Sequence, residues 1–322
     1  MTTHPATPAA APIRTGGLLT FGEAMGIFVA DGIGTLDNAR GFTLGVAGAE
    51  SNVAMGVARL GGDATWLGRL GTDAAGSLIA TRLRSSGVRV IALEDDAFTG
   101  LMIRYRRSAQ FIHADYHRAG SAGSRLSRSD VPESEIAAAS ILHVTGITPA
   151  LSDSCRSAVF AAVETARSAG VTVSVDVNYR SKLWSTYDAA PVLRDLVSRA
   201  DVVFAGPDEA AIFLGSADPV EGLAGLGPTE VIVKDGARGC VALIDGSRFS
   251  LPALSVSSID PVGAGDAFVA GYLADRLAGL PAANRLRTAI EAGAFAVTVP
   301  GDCEGLPTRT DLQSLGGTDI NR

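Results

Sequence analysis

Residues 259–268 read IDPVGAGDAF, a set of residue types suited to chemistry on an anion. Gly263 and Gly265 flank Ala264, Asp266 follows at once, and an apolar pattern of helical period begins behind them. At the first turn of a helix the backbone N–H groups have no intrahelical acceptor, and the helix dipole adds partial positive charge. Glycines remove the side chains that would keep a phosphate away from those groups. An aspartate in the same turn can take the proton from an attacking hydroxyl. Gly263, Ala264, Gly265 and Asp266 therefore read as a catalytic set for phosphoryl transfer, with Asp266 as base and the N–H groups stabilising the group in flight.

Two other readings compete for this turn. A dinucleotide fingerprint, G-x-G-x-x-G, also joins a strand to a helix, but its third glycine is Phe268 here. No βαβ crossover follows; the chain supplies two helical patterns instead, over 263–279 and 282–297. The plain alternative is a capped helix start with no ligand at all.

The elements that must position the turn alternate. LLTFGEA (18–24), DATWLGRLG (63–71), ASILHVTGI (139–147), VTVSVDVNYR (171–180) and ADVVFAG (200–206) are strand-like, and helical patterns follow most of them. Runs rich in β-branched residues that alternate with helices predict a mainly parallel sheet covered on both faces, an α/β fold in three layers. Residues 27–46 and 99–116 break the rule as short antiparallel strands, with Asp31-Gly32 as a turn. They cannot join the core of a parallel sheet and predict a small β lid. Residues 230–252 also read as antiparallel strands, with Asp245-Gly246 as a hairpin signal. One domain over 17–316 with its lid, preceded by an Ala/Pro/Thr-rich disordered tail over 1–16, accounts for the chain.

Composition excludes several classes. There are 27 basic against 34 acidic side chains, a formal charge of −7, which argues against nucleic acid as a partner. No apolar run reaches the ~18–20 residues of a membrane span, and the first residues lack the plan of a signal peptide. Cys155, Cys240 and Cys303 are widely spaced, as in a reduced, cytoplasmic protein. His143 sits in an apolar run and reads as a core histidine satisfied by a hydrogen bond.

DPVGAGDAF resembles the signature of the ribokinase-like (PfkB) sugar kinases, and other segments agree in order. VAGAESNVAMGVARLGG (46–62) is similar to that family's first signature, and IVKDGARG (232–239) to its nucleotide-side element. The likeness runs from about residue 19 to 312. Within the family, YHRAGSAGSRL, HVTGITPALS, DVNYRSKLW and GDCEGLP resemble the 2-keto-3-deoxygluconate kinases. The resemblance implies a ribokinase-like fold, ATP with Mg²⁺, and phosphorylation of the terminal hydroxyl of a sugar acid.

Carried over residue by residue, the resemblance implies that Gly48 and Asn52 contact sugar hydroxyls and that Tyr116 and Arg118 reach down from the lid. It puts Arg180, just past a strand, near the reacting end or the carboxylate. A guanidinium fork suits a carboxylate, so two arginines favour a sugar acid over a neutral sugar. Lys234, Gly236 and Gly239 fall on the nucleotide side with Gly263 and Gly265, and Glu209 near the metal. Without the resemblance, each arginine reads as solvated, Asn52 as a capping amide, Tyr116 as a half-buried strand aromatic and Glu209 as a helix-start acid. Two positions depart from the family: Met102 stands where a lid tyrosine is common, and Gly206 where an asparagine precedes the glutamate by three. The competing functions are a neutral-sugar kinase (fructokinase or ribokinase type) and a non-catalytic sugar- or nucleotide-binding protein. Apolar Phe42, Leu44, Leu101 and Ile103 in the lid need cover and predict a homo-oligomer formed through it.

Overall fold

The computed structural model describes residues 16–108 and 111–315; the expected tail lies outside them apart from Gly16. In chain order the strands are β1 (Leu18–Phe21), β2 (Met25–Ile33), β3 (Phe42–Ala47), β4 (Ala64–Gly71), β5 (Arg89–Asp95), β6 (Leu101–Arg106) and β7 (Ile112–His117). They continue as β8 (Ile141–Thr145), β9 (Thr172–Asp176), β10 (Val202–Ala205), β11 (Glu230–Lys234), β12 (Cys240–Ile244) and β13 (Ser247–Leu251).

Nine of these form one sheet in the order β13-β12-β11-β10-β9-β8-β1-β4-β5. Pairing is parallel from β5 to β11 and antiparallel from β11 to β13. The antiparallel end is the hairpin expected at Asp245-Gly246, whose φ of 49° and 78° suit the turn that matches strand twist. Strands β1, β8 and β10 are buried along their whole length because helices cover both faces. On one face Trp66, Phe204 and Val202 pack with the helices Ala49–Arg59, Ala264–Leu277 and Ala282–Ala296. On the other, Leu142, Val173 and Val203 pack with the helices Asp153–Ser168 and Thr186–Ser198. Phe204 meets Tyr272 and Phe268 edge to face, with ring centres 5.3 and 6.4 Å apart, which fixes the helix carrying Asp266 against the sheet.

The chain runs from β1 outward to β4 and β5, then crosses back to β8 and builds the other half. The carboxyl ends of β1 and β8 therefore border the switch-point crevice where open α/β sheets hold ligands.

The remaining strands form a second sheet, β3-β2-β6-β7, made of two antiparallel hairpins. The hairpins join through a parallel pair, β2 with β6, that joins segments some 75 residues apart along the chain and that no local pattern announces. Asp31-Gly32 does not make the turn: both residues lie inside β2, where Gly32 adopts φ 79° and the register with β6 shifts. The Asp31 N–H donates to the Gly41 carbonyl, so pairing with the next strand continues past that point. The reversal falls in the segment 34–41. Phe42 and Leu44 are 44% and 47% exposed on this sheet, while Leu101 and Ile103 are half-buried. His143 is buried, with Nδ1 3.0 Å from Ser174 Oγ and Nε2 unpartnered; burial pushes its pKa down to about 3, so the ring is neutral.

Candidate active site

A cavity of about 940 Å³ lies between the second sheet and the carboxyl ends of β1, β8, β9, β10 and β11. Its wall includes Gly48, Tyr116, Arg118, Arg180, Glu209, Lys234, Gly263, Gly265 and Asp266, so residues far apart in sequence meet in one space.

Gly263 is the N-cap of the helix Ala264–Leu277 at φ 78°, a region open to glycine and strained for other residues. A Cβ there would lie 2.1 Å from the Asp302 carbonyl oxygen. At Gly265 the nearest atom to a Cβ would be Lys234 Nζ at 3.7 Å, so that position is open toward the lysine. The first helical bond runs from Ala267 N to Gly263 O, which leaves the N–H groups of Ala264, Gly265 and Asp266 ahead of it.

Asp266 carries its carboxyl between this turn and Asn52, whose Nδ2 donates to Oδ2 at 2.8 Å. Burial pushes the carboxyl up to about 7. The bond from Asn52 and the charge of Arg180 oppose the rise, while Asp302 and Asp176 add to it. A carboxylate held near neutrality in this way is matched to proton transfer at cellular pH. Asp302 receives a second bond from Asn52 at 3.1 Å and is likewise raised by burial.

On the other side of the turn, Lys234 pairs with Asp176 at 2.7 Å. Burial works against its charge, but Asp176 and Glu209 outweigh burial and raise the pKa. Glu209 is raised by burial and by Asp176, and it accepts from the Tyr179 and Gly206 N–H groups at 2.9 and 2.7 Å. It thereby caps the short helix Pro207–Ala211, and each oxygen keeps a lone pair free. Among the described residues no group of three or more His, Cys, Asp or Glu side chains forms a metal cluster.

At the lid end Arg118 forms an ion pair with buried Glu23, and Ser121 donates to the same carboxylate at 2.9 Å. The Arg118 guanidinium lies 5.4 Å from the Tyr116 ring centre. Arg180 lines the cavity and, among the described residues, makes no hydrogen bond or ion pair to another side chain.

Several expected residues are not on the wall of this cavity. Asn52, read from the sequence as a sugar contact, is 1% exposed behind Asp266 and spends its amide on two carboxylates. Gly236 and Gly239 shape the tight loop after β11, where the Asp235 N–H donates to the Gly239 carbonyl; neither is on the cavity wall. Only glycine fits at Gly239, where φ is 100° and a Cβ would lie 2.0 Å from the Leu251 carbonyl oxygen. Ala264 lies in the turn but not on the wall.

Sequence reasoning missed Glu23, Glu50, Arg104, Asp176, Lys182 and Asp302, all on the cavity wall. Glu50 accepts from Thr145 and Thr148 at 2.7 and 2.6 Å and is raised by burial. Asp176 had a usable signal, an acid closing a valine-rich strand.

A glycine turn at a helix start, a carboxyl near neutrality beside it, and a lysine opposite define a class of site built for phosphoryl transfer. The family described as pfkB family carbohydrate kinase matches residues 17–309. This chain belongs to that family and is a sugar kinase. A 2-dehydro-3-deoxygluconokinase of Bacillus subtilis is 37% identical over 92% of this chain and 94% of its own. A fructokinase of Klebsiella pneumoniae is 36% identical over 92% of this chain and 98% of its own. The structure of a putative ribokinase II from E. coli in complex with ATP and Mg²⁺ superimposes with a TM-score of 0.85 at 25% identity, covering 93% of this chain and 98% of that one.

Proposed function

We propose that the protein transfers the γ-phosphoryl group of ATP to the terminal hydroxyl of a 2-keto-3-deoxy sugar acid, with 2-keto-3-deoxygluconate the first candidate. The observation that carries the transfer is the pairing of the Gly263 turn with Asp266 on one cavity wall. What favours an acid over a neutral sugar is the cationic character of that wall, where Arg118 and Arg180 both face the cavity.

In this reading Asp266 takes the proton as the hydroxyl oxygen bonds to the γ-phosphorus, and the bond from that phosphorus to the β,γ-bridging oxygen breaks. The N–H groups of Gly265 and its neighbours, with Lys234, balance the charge that moves. Asn52 holds Asp266 in place. Gly48, Tyr116 and Arg118 contact the sugar, and the loop with Gly236 and Gly239 borders the nucleotide. Closure of the β2, β3, β6 and β7 sheet as a lid over a kinase domain of residues 17–316 excludes water from the transfer.

The donor set fits a magnesium ion that arrives with ATP. Asp176 and Glu209 are two hard oxygen donors beside Lys234, and Mg²⁺ usually takes one or two carboxylates together with phosphates and water. Bound there, the ion neutralises phosphate charge.

Fructokinases among the relatives keep a neutral sugar as the second reading, and Met102 in the lid leaves the choice between gluconate-type acid and epimer open. ADP release coupled to a panel of sugar acids and neutral sugars tests the choice. Turnover with 2-keto-3-deoxygluconate or its galactose-series epimer should exceed that with fructose or ribose. The reverse order would remove the sugar acid.

The exposed Phe42 and Leu44 support pairing of the lid with a second copy of the chain. Light scattering at micromolar concentration should give a dimer or larger, and a monomer would refute it. Buried, unpaired Cys155, Cys240 and Cys303 support a cytoplasmic setting.

A further inference from the structure

The cavity wall carries five cationic side chains, Arg104, Arg118, Arg180, Lys182 and Lys234. Three are matched by internal carboxylates: Arg104 by Asp260 at 2.9 Å, Arg118 by Glu23, and Lys234 by Asp176 at 2.7 Å. Among the described residues Arg180 forms no ion pair, but it shares the wall with Asp266 and Glu209 and its charge works to lower the pKa of both. Lys182 is different. It follows Arg180 by two residues, yet its Nζ reaches across to the lid, donating to the Ala114 carbonyl at 2.7 Å in β7. The same Nζ lies 5.6 Å from the Tyr116 ring centre, and no carboxylate pairs with it among the described residues.

An ammonium has three donors, and only one is used on Ala114. The Tyr116 face steadies the charge without neutralising it. The lid end of the cavity thus holds Arg118, already balanced by Glu23, and Lys182, which is not balanced. A neutral sugar would gain little from that excess. Lys182 is exposed on the wall, and a carboxylate beside it would gain a charge-assisted bond.

We propose that Lys182 determines specificity by seating the substrate's carboxylate at the Tyr116 end of the cavity, which turns the far, hydroxyl-bearing end of the chain toward Asp266. This inference rests on the sugar-acid reading. Because the same ammonium holds a lid carbonyl, recognition of the acid and the lid's position share one side chain.

The test compares 2-keto-3-deoxygluconate with its primary amide, which has the same shape and no charge, in wild type and in Lys182→Met, Lys182→Gln and Lys182→Arg. Loss of a bond to a charged group raises KM for the acid roughly ten- to a hundredfold in the Met and Gln variants. In both variants kcat should stay within about threefold, and the preference for acid over amide should disappear. Lys182→Arg should restore most of that preference. Glutamine keeps a donor for Ala114, so a Gln variant with wild-type KM would overturn the charge role. Equal loss for acid and amide would reduce Lys182 to a lid contact and overturn it as well. If wild type ignores the acid and phosphorylates fructose, the substrate reading itself fails, which is a different result from a wild type that uses the acid and a Met variant that binds it unchanged.

Discussion

Replacing Asp266 by asparagine lowers kcat by about 10²-fold or more and leaves KM for the sugar within a few-fold. The substitution keeps the shape of the side chain and its acceptor for Asn52 Nδ2, now 2.8 Å away. It also removes a charge that burial and Asp302 disfavour, so the fold has no reason to weaken. What disappears is the basic oxygen. In wild type the carboxyl is pushed up to about 7. It is the ionised form that accepts a proton, so kcat/KM should fall as pH drops below about 7, approaching tenfold per unit. The residual rate of the variant should lack that limb. Steady-state kinetics across pH 5 to 9, taken on the order of half-unit steps, checks both parts. A variant with near wild-type kcat, or one that keeps the limb, would take the role of base away from Asp266.

Gly263→Ala is expected to lower kcat by about 10²–10³-fold and to cost about 1–3 kcal/mol of stability. The two effects share a cause. The position has φ 78°, and the new Cβ would stand 2.1 Å from the Asp302 carbonyl oxygen. That neighbour is backbone, not a flexible side-chain end that could swing aside, so the turn or the 301–302 segment must move. Either movement re-aims the N–H groups that face the cavity. Gly265→Ala is the contrast, because its backbone is ordinary and its nearest neighbour is Lys234 Nζ at 3.7 Å. That variant should melt like wild type and lose activity through crowding of the phosphate alone. Thermal melts with single-turnover rates separate the pair; normal melting and normal rates for Gly263→Ala would mean that the turn does not cradle the reacting group.

The Gly263 turn was legible because glycine's lack of a side chain has few uses at a helix start, and an adjacent acid narrows them further. The sheet was legible because strands such as β8 and β10, buried on both faces, read as continuous apolar runs. Pairing was less so. Nothing local in 25–33 or 101–106 announces that β2 and β6 run parallel, and Asp31-Gly32 gave a turn signal that the strand absorbed as an irregularity. The same limit applies to the site. Asn52 reads as polar and near a glycine, but its partners are 214 and 250 residues away. Sequence supplies a donor there without saying what accepts from it. Glu23, Glu50 and Asp302 are single acids in unremarkable settings until the fold brings them to one wall. Lys182 resembles a surface lysine in the chain; only its reach to Ala114 and Tyr116 distinguishes it.

The most direct measurement is a crystal structure with ADP, aluminium fluoride and 2-keto-3-deoxygluconate. The fluoride group should lie within hydrogen-bond distance, about 3 Å, of the N–H groups at 264–266, with an Asp266 oxygen equally close to the terminal hydroxyl. A phosphate mimic seated over the 235–239 loop, or an Asp266 carboxyl turned wholly toward Asn52 and away from the sugar, would contradict it.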